Sequence, residues 1–64
     1  MNKETIKAFI FWLENSSDAE IEARRQFILS KMKLVSRDGM ADVRLALRLI
    51  DEEVLARIEL GKLA

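Results

Sequence analysis

Apolar residues recur with helical spacing along the chain. Ile6, Phe9, Ile10 and Leu13 fall at i, i+3, i+4 and i+7, which places them on one face of a helix over about residues 3–14. Asn2 is a candidate cap for its start, and Asn15-Ser16-Ser17 breaks the pattern. Ser17-Asp18-Ala19-Glu20 then reads as a capping box, with acidic residues where a helix dipole favours them, and predicts a second helix over about 18–35. Ser36-Arg37-Asp38-Gly39 is the next break. Gly39 suits a positive φ and Asp38 a cap, so a third helix is expected over about 40–60, with Gly61 as its C′ glycine. No β-type alternation is present. The expected fold is all-α in one domain: a small three-helix bundle, or a helical hairpin plus an N-terminal helix, completed by homodimerisation.

Dimerisation is expected because the helices carry more apolar surface than one core face needs. On the third helix Met40, Val43, Ala46, Leu47, Ile50, Val54 and Ile58 make a complete stripe. Leu45, Leu49, Ala56 and Leu60 form a second line on nearly the opposite side. The second helix repeats this, with Ile21, Ile28, Met32 and Val35 against Ala23, Phe27 and Leu34; the first adds Ala8, Phe11 and Trp12 outside its main face. Exposed leucines are common on soluble proteins, but a contiguous apolar patch usually marks a partner. Trp12, Phe27, Leu34, Leu45, Leu49 and Leu60 are therefore the candidate interface residues. A dimer is the simplest closed arrangement, and a protein partner of other identity is also expected.

Composition narrows the chemistry. The 64 residues include no Cys, His, Pro or Tyr, which removes disulfides, thiol nucleophiles, Cys/His metal sites and imidazole acid–base catalysis. Asp51-Glu52-Glu53 is the only carboxylate cluster, and its members point about 100° apart round a helix. No glycine-rich phosphate loop or calcium loop is present, and a chain this small is expected to lack a pocket of ~300 Å³. No enzymatic activity, metal or cofactor is expected. The longest apolar run, Ala8 to Leu13, is too short to span a bilayer, and the first helix carries only Lys3 and Lys7 as basic anchors. The expectation is a cytoplasmic protein without membrane attachment.

Net charge is zero, yet residues 24–37 hold Arg24, Arg25, Lys31, Lys33 and Arg37 and no acid. These five are the candidate phosphate-contacting residues of an alternative reading, a small nucleic-acid-associated regulator. It is the less favoured one, because the cations point several ways round their helix and the third helix offers mainly Leu, Asp and Glu to a base edge. Glu20–Arg24, Arg48–Glu52 and Glu53–Arg57 are spaced as i,i+4 pairs. Arg57 and Glu53 lie at the edge of the core stripe and are candidates for an interface ion pair. The Asp42–Leu60 segment resembles many small bacterial helical proteins but carries no motif that transfers residue roles.

Overall fold

The computed structural model describes residues 2–63. Three helices follow one another, α1 (Lys3–Asn15), α2 (Asp18–Lys31) and α3 (Arg37–Leu63), with a 3₁₀ turn over Met32–Leu34 before the last. The described residues contain no strand, so the fold is all-α. At about 1.5 Å per residue, a helix the length of α3 spans ~40 Å, and the molecule measures 41 × 24 × 15 Å. α3 is thus the spine. α1 and α2 both pack on it, and the chain passes from one to the other through Ser16 and Ser17.

This arrangement explains the two apolar stripes of α3. The core is Leu13 of α1, Ile21 of α2 and Ile50 of α3, with Phe9, Trp12, Ile28, Leu49 and Val54 packed against it. Val54 and Ile58 border the groove shared with α2, while Leu49 and Ala56 border the groove shared with Ile10 and Leu13 of α1. One stripe therefore seats α2 and part of the other seats α1. A two-residue connection cannot carry α1 back along the face that α2 already covers, so α1 takes the adjacent one.

The helix limits differ from the sequence-based expectation at three places, each for a local reason. α2 ends at Lys31 rather than at residue 35, because the chain tightens into the 3₁₀ turn, where the Met32 amide donates to the Leu29 carbonyl and the Val35 amide to that of Met32. Such a turn satisfies terminal carbonyls without a glycine. α3 begins at Arg37, because Ser36 rather than Asp38 takes the capping position: its hydroxyl and its carbonyl both accept from the Gly39 amide. Gly39 lies in the first turn, with φ in the ordinary negative range. What demands glycine there is space, since a Cβ would stand 2.9 Å from Cγ1 of Val35. Gly61 lies within α3, again without positive φ, and has open space around it.

The first two starts follow the sequence closely. Asn2 caps α1 by accepting from the Thr5 amide at 2.8 Å. Ser17 and Glu20 form the reciprocal capping box of α2, at 3.1 and 3.0 Å. That bonding to Ser17 also lowers the pKa of Glu20 below its ordinary value, because the backbone amide stabilises the carboxylate.

Candidate interaction surface

Arg57 organises the corner where α1, α2 and α3 meet. α1 ends without a basic residue in its last turn and without a glycine, leaving its final carbonyls to be satisfied from elsewhere. Asn15 donates to the Phe11 carbonyl and the Ser16 hydroxyl donates to that of Trp12. Arg57, reaching across from α3, donates through Nη2 to the carbonyls of Leu13 and Ser16, both at 2.7 Å. Its Nη1 meets Asp18 at 2.7 Å and its Nε meets Glu53 at 3.0 Å. One planar cation thereby closes the negative end of α1, pairs with the first acidic residue of α2 and ties both to α3. The bonds to Asp18 and Glu53 raise its pKa further above the ordinary arginine value.

The Glu53–Arg57 i,i+4 spacing is legible in the sequence, and the pair forms part of a clamp within one chain. The sequence shows an arginine at the edge of a core stripe and a helix that ends on Asn-Ser-Ser without its own cation, but nothing in it joins the two.

A second assembly lies where α1 meets the flank of α2. Trp12, Glu20, Ala23, Arg24 and Phe27 line an open groove of about 490 Å³. The Arg24 guanidinium sits 4.9 Å from the Trp12 ring, and the Lys31 ammonium 5.8 Å from the Phe27 ring. Phe9 stacks on Trp12, with ring centroids 5.8 Å apart, and both rings pack against the core. At this groove the Glu20–Arg24 pairing expected from spacing gives way: Glu20 turns back to Ser17 and Arg24 covers the indole. Cation–aromatic contact of this kind keeps flat, amphipathic area at a surface without leaving it bare.

The candidate interface residues fall into three settings. Leu49 packs against the core beside α1, and Leu45 is half-buried. Trp12 is half-buried, with its exposed side in the groove. Phe27 is 58% exposed, Leu60 65% and Leu34 80%. Phe11, Leu55 and Ile58, not among the candidates, are also exposed large apolar side chains. Ile58 stands on the predicted core stripe, but α2 begins opposite Arg57 and leaves α3 uncovered beyond that point.

The five cations do not share a surface. Arg25 turns toward α3, 3.6 Å from Asp51, and toward Glu22 at 3.9 Å. Arg24 and Lys31 lie on the groove flank, Lys33 is in the 3₁₀ turn and Arg37 opens α3. Two open clefts exceed the size expected of so small a chain: the groove above, and one of about 420 Å³ between α2 and α3 bordered by Asp18, Glu22, Val54, Arg57 and Ile58. The carboxylates of the second are engaged by Arg57 or exposed to solvent, and no group of three metal-ligating side chains occurs among the described residues. No helix among them is long and apolar enough to cross a membrane.

Comparison with protein families, characterised proteins and solved structures finds no match to the chain.

Proposed function

We propose that the protein is a non-catalytic, self-associating helical module for protein–protein interaction, with the groove flank of α2 as its working surface. The supporting observation is the amount of surface left over. A compact monomer of 7.4 kDa exposes about 4,200 Å² by size scaling, whereas this chain exposes 5089 Å². The excess, roughly 900 Å², matches the ~800 Å² that each partner buries in a standard protein interface. Its chemistry is also that of an interface, since Phe11, Phe27, Leu34, Leu55, Ile58 and Leu60 are all at least half exposed. Only Leu13, Ile21, Ala46 and Ile50 are buried apolar residues among those described.

A radius of gyration of 12.6 Å, against ~10.7 Å for a compact domain of this length, fits a half-assembled shape. Nucleic-acid binding is disfavoured by the dispersal of the five cations and by the pairing of Arg25. Sedimentation equilibrium from low micromolar to near-millimolar concentration tests the reading. Mass should rise from one chain to two, with the melting temperature rising alongside it. A single chain at every concentration, with an unchanging melting temperature, overturns self-association.

A further inference from the structure

We infer that self-association runs through an antiparallel pairing of α2 with α2 of a second copy, each Phe27 entering the Trp12–Ala23–Arg24 groove of the other and each Glu20 facing the other's Lys31. The inference rests on the proposed self-association and specifies its surface and register.

The pattern of α2 carries it. At 100° per residue, Glu20, Ala23, Arg24, Phe27 and Lys31 fall within about 100° of one another, on the flank centred about 90° round the helix from Ile21 and Ile28. Along that flank the order is acid, small, cation, aromatic, cation. An isologous contact requires a patch that complements itself when rotated by a half-turn. Reversing this strip about a point between Arg24 and Phe27 does so: acid meets cation at both ends, and at the centre a projecting ring meets a small residue and a guanidinium. In the single chain the groove is open, and Phe27, which would fill it in the other copy, stands more than half exposed at its rim.

Other exposed apolar positions lack this property. Phe11 stands on the side of α1 away from its core face, and the outward face of α3 around Leu55 carries Arg48, Glu52 and Glu59. Antiparallel α2 helices also bring opposite dipole ends together. The capping box keeps Glu20 ionised to lower pH than an ordinary glutamate, so the end pairs persist in mild acid.

Phe27→Ser tests the centre of this contact, and an exposed site makes it safe for folding of the single chain. Removing a central aromatic should weaken the dimer by about tenfold or more, with helicity by circular dichroism unchanged in dilute solution. Register is tested with Lys31→Glu and Glu20→Lys. Each variant alone places like charges opposite one another and should dimerise more weakly than the wild type. An equimolar mixture should recover a heterodimer, because every end pair is then again opposite in charge. Circular dichroism of each variant confirms that it still folds. If the wild type dimerises but Phe27→Ser dimerises as tightly, the interface lies elsewhere and the inference falls while self-association stands. If Phe27→Ser weakens the dimer but the mixture gains nothing over its components, the antiparallel register falls. A wild type that is monomeric throughout removes both.

Discussion

The two ends of the α2–α3 hairpin contain similar residues and treat them differently. At the α1–α2 corner three helices converge, Ile50 is fully buried, Leu13 and Ile21 nearly so, and Arg57 satisfies backbone and carboxylate groups from three elements at once. At the far end only the 3₁₀ turn and the start of α3 meet. There Met32, Val35 and Met40 are half-buried and Leu34 is 80% exposed. An apolar side chain is buried only where a third wall exists, because two packed cylinders shield little more than the line between them. The corner therefore holds the fold, and the open end and groove flank stay exposed in the single chain.

Substitutions can break that division of labour, beginning with the largest effect. Ile50→Ala removes the fully buried residue at the convergence point and should cost about 2–5 kcal/mol. A domain this small has a total stability of only ~3–10 kcal/mol, so urea denaturation should show a large share of it lost. Arg57→Met keeps the stem and removes the guanidinium, leaving the Leu13 and Ser16 carbonyls and the Asp18 and Glu53 carboxylates without their shared donor. The melting temperature should fall by several degrees, with faster amide exchange near the α1–α2 junction. Arg57→Lys should recover little, since an ammonium lacks the planar fork that reaches four acceptors.

The glycines separate two accounts of α3. Gly61→Ala should stabilise by up to ~1 kcal/mol because the position is helical and open; a C′ glycine would instead lose stability on the same change. Gly39→Ala should yield no such gain, because the new methyl group meets Val35 and forces that short, branched side chain to move. Thermal melts of the two variants side by side decide it.

A smaller effect follows from Glu20, whose pKa is lowered in the folded chain. The stabilisation is present above the ordinary value of 4.5 and is lost as pH falls through the folded-state pKa. Glu20→Gln, which keeps the capping geometry, should flatten that acid limb of a stability–pH profile. The smallest change is expected at the open end, where Leu34→Ser should alter the stability of dilute protein by no more than about 0.5 kcal/mol.

Helix periodicity, the Asn2 cap and the Ser17–Glu20 capping box depend on contacts three or four residues apart, and these were legible in the chain itself. So was the i,i+4 spacing of Arg48 with Glu52 and Arg57 with Glu53. The destination of the second apolar stripe was not. Periodicity counts apolar faces without saying which neighbour covers each, and Leu49 and Ala56 look alike whether they meet α1 or another copy. Gly39 was misread for a related reason: glycine at a break signals either a positive φ or a close approach, and only the position of Val35 distinguishes them.

By itself, then, the order of residues determined three amphipathic helices, two of their caps and an excess of apolar surface, because those properties arise within a few residues of chain. Tertiary structure alone decided that one arginine closes the corner, that α1 absorbs part of the surplus, and that the Trp12–Phe27 flank stays open. Those outcomes depend on residues about forty positions apart meeting in space, as Arg57 meets Leu13 and Ser16, and no local pattern encodes such a meeting.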